Sequence, residues 1–179
     1  THRMDTLLSA LLDYSRADQK SKDIDTIDVG AILESITQEF VPSSSINFSI
    51  SEGLPCLYTS KIQLYRVFNE LIKNAIQFNN SEQIKIDIAG TQIQEYWQFS
   101  VKDNGIGIDD AFKEKVFIIF QTLQTRDSHE SAGAGLAIVK KIVNENGGMI
   151  WITSNHDCGV TIHFNWKESQ MAMGYLKIA

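Results

Sequence analysis

The chain has 179 residues, of which 43% are hydrophobic and 21% charged, and its formal net charge is −6. That length suits one domain with its own core, alone or with a short appendage. The acidic balance argues against a general role in binding nucleic acids or membrane surfaces, because either would favour a basic excess. No apolar run reaches membrane-spanning length and no signal peptide is evident, which predicts a cytoplasmic chain, whole or cut from a larger membrane protein.

The first segment, residues 4–17, places apolar side chains at helical spacing: Leu7, Leu8, Leu11, Leu12 and Tyr14. A lone amphipathic helix cannot bury its apolar stripe, so we expect it to pack on a partner helix. The polar stretch 16–25 that follows is the best domain boundary in the chain. We therefore divide the chain into a helical appendage with linker (1–25), a main domain (26–167) and a tail (168–179).

The main domain mixes helices and strands. In chain order, the predicted elements are a helix at 28–40, a strand at 46–50, a helix at 60–78, strands at 84–89 and 97–102, a short helix at 110–120, a helix at 135–146, and strands at 149–153 and 160–166. The polar segment 121–134 lacks periodicity and predicts a mobile loop. This order, with hairpin-like strand pairs, indicates an α+β sandwich.

The helix at 60–78 begins with Ser60 and Gln63, which form a predicted capping box. Away from its apolar stripe, Glu70 and Asn74 are four residues apart, so their side chains point the same way. A carboxylate beside a carboxamide can hold a water, and the carboxamide oxygen can join a hydrated magnesium ion. Taken alone, the pair is explained more simply as part of a solvated helix face.

A glycine-rich loop, Asp103-Asn104-Gly105-Ile106-Gly107-Ile108, directly follows a predicted strand. Asn-Gly between apolar runs is a strong hairpin signal, but a tight turn needs no second glycine, and the next segment reads as helix. Glycines also let a backbone approach a flat ring closely. In that interpretation, Asp103 accepts a hydrogen bond from an exocyclic amine such as that of adenine.

A second run of small residues, Ser131 to Ala134, leads through Gly135 into the helix at 135–146. Unpaired backbone N–H groups at such a helix start form a natural phosphate site, although a flexible hinge before a helix explains the run equally well. The order of these motifs is more specific than any one of them.

In that order, the chain resembles the ATP-binding family shared by gyrase, MutL and sensor histidine kinases, and within it the catalytic domain of sensor histidine kinases. The motifs that carry the resemblance are Glu70-Leu-Ile-Lys-Asn74 (similar to the N box), Asp103 to Ile108 (the first glycine box), Phe117-Ile-Ile-Phe120 (the F box), Gly133 to Ile138 (the second glycine box) and Gly159-Val-Thr161-Ile-His-Phe164 (the closing strand). The resemblance covers most of the chain. It implies a two-layer α/β sandwich of Bergerat type, with a mixed, mostly antiparallel sheet covered by helices.

The resemblance also implies ATP and Mg²⁺ as ligands. Asp103 would bind the adenine amine beside Gly105 and Gly107, with Thr161 helping through a water and Ile108 and Phe78 lining the ring. Asn74 would coordinate magnesium, Glu70 would be the general base or orienter, and Gly133, Gly135 and the Leu136 N–H would hold phosphates. Segment 121–134 would be a lid, and Arg126 its candidate cation, although a solvated loop arginine is an equal alternative.

Three positions depart from the family pattern. Gln77 replaces a frequent lysine, and Lys73 is the candidate to compensate. Ser131 and Asp157 stand where glycines are usual. These departures put the phosphate contacts in doubt but leave the main motifs intact.

The N-terminal segment resembles the end of the second helix of a dimerisation and phosphoacceptor hairpin, which pairs two protomers in a four-helix bundle. An acceptor histidine would lie on the first helix, followed by an acidic residue and soon by proline. His2, His129, His156 and His163 lack that context. We therefore expect a protein-histidine kinase whose acceptor histidine lies outside this chain, with a response regulator receiver domain as partner and a homodimeric full-length protein.

Three alternatives remain open. A serine kinase of the anti-sigma-factor type has a similar fold but lacks a leading bundle helix. A gyrase-like or MutL-like ATPase uses a catalytic lysine from a following domain. Few residues follow Trp166 in this sequence, which disfavours that alternative. A degenerate module could bind nucleotide, or dock a partner, without catalysis.

Overall fold

The computed structural model describes residues 11, 12, 14, 15, 23–40, 45–119, 134–156 and 158–169. Its strands are β1 (Ile24–Asp28), β2 (Ile46–Ile50), β3 (Cys56–Ser60), β4 (Ile84–Ile93), β5 (Tyr96–Asp103), β6 (Ile150–Ser154) and β7 (Val160–Lys167). Its helices are α1 (Val29–Gln38), α2 (Lys61–Gln77) and α3 (Gly135–Glu145), with two short 3-10 turns at Asp110–Phe112 and Lys115–Phe117.

Five strands form the main sheet in the order β2-β4-β5-β7-β6, while β1 and β3 pair separately as an antiparallel ribbon. Strand β2 runs parallel to β4, and the other neighbours in the sheet are antiparallel. The sheet is therefore mixed and mostly antiparallel, as predicted.

One face of the sheet is buried under the helices. Along β7, Val160, Ile162, Phe164 and Trp166 are buried, whereas the residues between them are partly exposed. From α2, the Phe68 ring packs edge-on against Phe99 at 5.4 Å and Phe164 at 5.3 Å between centroids. The buried indole N–H of Trp166 donates a hydrogen bond to the Thr59 hydroxyl at 3.0 Å, so this donor is satisfied. The predicted two-layer α/β sandwich is confirmed.

The start of α2 is capped as predicted, but only in part. The Ser60 hydroxyl accepts a hydrogen bond from the Gln63 N–H at 3.4 Å. The Gln63 side chain does not complete a capping box; its Oε1 accepts from Asn146 Nδ2 at 3.1 Å. Since Asn146 is the C-cap of α3, this bond ties the start of one helix to the end of another.

One prediction on local structure was wrong, and one pair of strands was missed. The helix expected at 110–120 is two short 3-10 turns, and Asp109 caps the first by accepting from the Ala111 N–H at 2.9 Å. The ribbon of β1 and β3 was not predicted at all. Strand β1 is short and buries only Ile27, so its local sequence carries little strand pattern. It also begins at Ile24, inside the predicted linker.

The N-terminal appendage is described only at four helical residues, Leu11, Leu12, Tyr14 and Ser15. Leu11 and Leu12 are 49% and 55% exposed. The Tyr14 carbonyl accepts a hydrogen bond from Lys141 Nζ at 3.0 Å, which fastens this segment to α3. The rest of the predicted helix at 4–17 lies outside the described residues. Among the described helices, none has the length and apolar character needed to cross a bilayer.

Candidate functional site

Glu70 and Asn74 on α2 lie directly against the start of α3. A Cβ at Gly135 would come within 2.7 Å of Glu70 Oε2 and 3.7 Å of Asn74 Nδ2. The helical spacing of the two residues thus puts a carboxylate and an amide against the first residue of the next helix, where the lack of a side chain makes room. The structure thus brings Gly135 to the Glu70–Asn74 pair, which the sequence singled out separately.

This corner, formed by Glu70, Asn74 and Gly135, contains donors without protein partners. The Asn74 Nδ2 is buried and makes no hydrogen bond within the described part of the chain. The N-cap of α3, Ala134, offers no side-chain hydrogen bond, and the first backbone N–H groups of a helix have no intrahelical acceptor. A buried unsatisfied donor costs about 1–3 kcal/mol, so a ligand that supplies acceptors gains from this arrangement. The positive end of the α3 dipole favours an anion there.

Asp103 ends β5 and is only 9% exposed. Its Oδ1 accepts hydrogen bonds from the backbone N–H groups of Gly105 at 2.8 Å and Val160 at 3.3 Å. Burial raises the pKa of the Asp103 carboxyl, and these two hydrogen bonds oppose the rise only in part. Such a carboxylate, with both of these bonds on one oxygen, is well placed to accept a hydrogen bond from a ligand on the other.

The glycine loop is joined to the end of α2. The Phe78 N–H donates to the Asn74 carbonyl at 3.0 Å, and the Phe78 carbonyl accepts from the Ile106 N–H at 3.2 Å. A Cβ at Gly105 would lie 2.6 Å from that same carbonyl, so only glycine fits. These contacts connect the helix that carries Asn74 with the loop that follows Asp103.

Near Asp103, Gly107 and Gly159 have positive φ angles of 79° and 75°. Position 159 also has no room for a side chain, since a Cβ there would lie 2.2 Å from the Asp103 carbonyl oxygen. The closing strand therefore meets Asp103 through backbone alone.

Two asparagines that sequence reasoning did not assign are central to this geometry. Asn104 Oδ1 accepts from Asn79 Nδ2 at 2.9 Å and the Lys85 N–H at 2.8 Å, and its Nδ2 donates to the Gln83 carbonyl at 2.9 Å. Asn155 Nδ2 donates to the Asp103 carbonyl at 2.9 Å. The Asn-Gly pair was a signal for Asn104, whereas nothing local marked Asn155.

The structure shows where Thr161, which is expected to help bind adenine through a water, lies in the sheet. It pairs with Lys102 across the β5–β7 ladder, so its side chain lies on the Lys102 face of the sheet, opposite that of Asp103. Its hydroxyl donates to Asn155 Oδ1 at 2.7 Å. The closing-strand residue that reaches the Asp103 carboxylate is Val160, through its backbone N–H.

The other predicted residues are placed as follows. Phe78, Ile108 and Leu136 are partly buried, and Lys73 is exposed. Arg126, Gly133, Ser131, Asp157 and all of the predicted lid except Ala134 lie outside the described residues. In the described residues there is no group of three or more His, Cys, Asp or Glu side chains that could hold a metal. The side-chain oxygen of Asn74 nevertheless suits magnesium, which prefers few protein ligands together with substrate phosphates.

Residues 59–170 match the family of histidine kinase-, DNA gyrase B- and HSP90-like ATPases. The chain belongs to this family, and its fold is the sandwich described above. Its sequence relatives include proteins named as histidine kinases.

Among these relatives, the phytochrome-like protein Cph1 of Synechocystis is 36% identical over 165 residues, which cover 90% of this chain and 22% of Cph1. The methanogenesis regulatory histidine kinase FilI of Methanothrix harundinacea is 32% identical over 166 residues, 90% of this chain and 18% of FilI. The chain thus spans about a fifth of the length of these relatives.

A similar fold is found in the histidine kinase ThkA, whose structure was solved in complex with the response regulator TrrA. It superimposes with a TM-score of 0.71 at 24% identity, covering 93% of this chain and 48% of ThkA.

Proposed function

We propose that this chain binds ATP with magnesium between Asp103 and the start of α3, and transfers the γ-phosphoryl group to a histidine outside the chain. The whole protein would then be a two-component sensor histidine kinase. The observation that carries this proposal is the Glu70 carboxylate beside the Asn74 amide nitrogen, at a helix start without a side-chain cap; among the described residues, that nitrogen has no hydrogen-bond partner.

The adenine would be recognised at Asp103. The ionised carboxylate would accept a hydrogen bond from the 6-amino group through Oδ2, since Oδ1 already holds two backbone donors. Gly105 and Gly107 would let the loop backbone approach the ring, and Phe78 and Ile108 would cover it. A fixed, buried acceptor costs little reorganisation when the ligand binds, which favours adenine over a 6-oxo purine.

The phosphates would lie at the start of α3. The Gly135 and Leu136 N–H groups, with Gly133 before them, would donate to phosphate oxygens, and the Asn74 amide would lie beside them. Magnesium, held through Asn74 oxygen and the phosphates, would neutralise phosphate charge. Arg126 and Lys73 are our candidates for additional positive charge.

Glu70 would act on the incoming histidine. Its carboxylate, adjacent to Gly135, can accept the hydrogen of one imidazole nitrogen and so orient the other nitrogen as nucleophile. Phosphoryl transfer is achieved mainly by positioning and charge neutralisation, so orientation by one carboxylate is a sufficient role.

The proposed partners are a phosphoacceptor hairpin, a second protomer in the full-length protein, and a response regulator receiver domain. The complex of ThkA with TrrA supports the last of these by similarity of fold. The helical Tyr14 segment against α3 supports the first. We place this chain in the cytoplasm.

A transfer assay in trans tests the proposal. The chain would be incubated with magnesium and γ-labelled ATP, together with a separate polypeptide comprising the acceptor hairpin. We expect acid-labile label on the hairpin, lost with Asp103→Ala and retained with Glu34→Gln, a carboxylate change on the exposed face of α1. Acid-stable label would instead indicate a serine kinase. Nucleotide binding without any transfer would indicate a binding module.

A further inference from the structure

The β5–β7 ladder stops one residue before the end of β5. The last pair joins Lys102 to Thr161, so the Asp103 carbonyl lies beyond the regular strand pairing. Asn155, in the turn between β6 and β7, replaces the missing strand donor by giving its side-chain Nδ2–H to that carbonyl at 2.9 Å. A side chain thus extends the ladder to the residue that matters for the nucleobase.

Asn155 is itself held in one orientation. The Thr161 hydroxyl donates to its Oδ1 at 2.7 Å, and its backbone N–H donates to the Gly159 carbonyl at 3.3 Å. Because the Asp103 carbonyl can only accept, the Asn155 NH₂ must face it, which leaves Oδ1 to accept from the Thr161 hydroxyl. Thr161, Asn155 and Asp103 form a hydrogen-bonded series, which we call the Thr161–Asn155–Asp103 relay.

The same turn also fixes the Asp103 carboxylate. Val160, the residue before Thr161, donates its N–H to Oδ1, and Gly159 leaves no space for a Cβ beside the Asp103 carbonyl. The main chain and side chain of Asp103 are therefore both positioned from the β6–β7 turn. Displacement of this turn would move the carboxylate that faces the ligand.

We propose that Asn155 and Thr161 are positioning residues that hold Asp103 in register to select a purine with a 6-amino group. The proposal rests on the nucleotide-binding function above and assigns to Thr161 an indirect role through Asn155. With the relay intact, a 6-oxo purine places an acceptor against a fixed carboxylate. With the relay broken, Asp103 can shift, and the preference for ATP over inosine triphosphate should shrink.

The test is titration of the folded chain with MgATP and with magnesium inosine triphosphate. Loss of one net hydrogen bond predicts that Asn155→Ala weakens ATP binding about 3- to 10-fold. Inosine triphosphate binding should change much less, so the ATP preference falls by a similar factor. Thr161→Val should move in the same direction by a smaller factor, and Thr161→Ser, which keeps the hydroxyl, should restore the preference.

Thr153→Val is the matched control. Thr153 pairs directly with Thr161 across the β6–β7 ladder, and its hydroxyl bonds to His163 rather than to Asn155. This variant should keep the ATP preference.

Equal weakening of both nucleotides by Asn155→Ala, or an unchanged ATP affinity, would overturn the relay. So would equal effects of Thr161→Val and Thr153→Val. Where Asn155→Ala fails to fold, the Thr161 variants decide alone. Failure of the unmodified chain to bind MgATP would reject the proposed function itself, which separates the two hypotheses.

Discussion

The two ends of the candidate site are built in opposite ways. At the Asp103 end, a carboxylate that is 9% exposed receives two backbone hydrogen bonds, and Gly105 and Gly159 fit closely around it. At the α3 end, the Asn74 amide nitrogen has no partner among the described residues, and Ala134 provides no side-chain cap. The first end is formed by the protein's own bonds, while the second leaves donors for a ligand.

This difference indicates which end of the site stabilises the fold and which end mainly serves the ligand. The Asp103 end is preorganised, so changes that disturb its packing or backbone hydrogen bonds should affect stability and binding together. The α3 end contributes little to the fold, so changes there should affect chemistry with little loss of stability. Each prediction below would sharpen or break this contrast.

The largest effect is expected at the α3 end. Glu70→Gln removes the negative charge and basicity of the group that accepts the imidazole hydrogen but keeps the side-chain shape, so transfer should fall about 10²- to 10⁴-fold. ATP affinity and melting temperature should stay close to those of the unmodified chain. Rapid-quench transfer assays with calorimetric titration measure both, with Glu34→Gln as the control. A Glu70→Gln chain that transfers at the normal rate would remove Glu70 from the mechanism.

A matched pair of glycine variants compares the two ends directly. A Cβ at Gly105 meets a backbone carbonyl at 2.6 Å, whereas one at Gly135 meets the end of the Glu70 side chain at 2.7 Å. Because backbone cannot move aside easily, Gly105→Ala should lower the free energy of unfolding by about 1–3 kcal/mol and weaken ATP binding.

Gly135→Ala should leave the free energy of unfolding nearly unchanged, since the Glu70 side chain can swing and alanine favours a helix. It should nevertheless slow transfer, because the displaced carboxylate is the orienting group. Urea unfolding of both variants provides the comparison. Equal destabilisation by the two substitutions would contradict this contrast between the two ends.

The smallest effect is a dependence on pH at the Asp103 end. Burial raises the pKa of Asp103, so the folded chain holds this proton more tightly than the unfolded chain does. Protonation of this group therefore favours folding as pH falls through the raised value. Nucleotide affinity changes with pH in the opposite direction. The ionised carboxylate only accepts from the adenine amine, whereas the protonated carboxyl carries a donor of its own. ATP affinity should begin to fall at a higher pH than an ordinary aspartate predicts, and Asp103→Asn should abolish this dependence.

The sequence predicted the α3 end of the site better than the details of the Asp103 end. Helical spacing placed Glu70 with Asn74, and the small residues before the last helix led to Gly135. Both are local patterns with a direct geometric meaning. The alternating apolar residues of β7 already assigned the Thr161 side chain to the polar face of the strand.

Other features depend on contacts distant in sequence. The pairing of β1 with β3, the bond of Gln63 to Asn146 and the bond of Asn155 to Asp103 join residues that no local pattern connects. The 3-10 turns near Phe112 and Phe117 replaced a predicted helix because tertiary packing of Val116 and Phe117 decided the local structure.

Calorimetric titration of the unmodified chain and Asp103→Asn with MgATP tests the central claim most directly. The asparagine can keep the bonds from Gly105 and Val160 through its oxygen, but then presents a donor to the adenine amine. Loss of a charge-assisted hydrogen bond predicts an affinity about 10- to 100-fold weaker, with the fold intact. Equal affinity of the two chains for MgATP would contradict recognition of the base by Asp103.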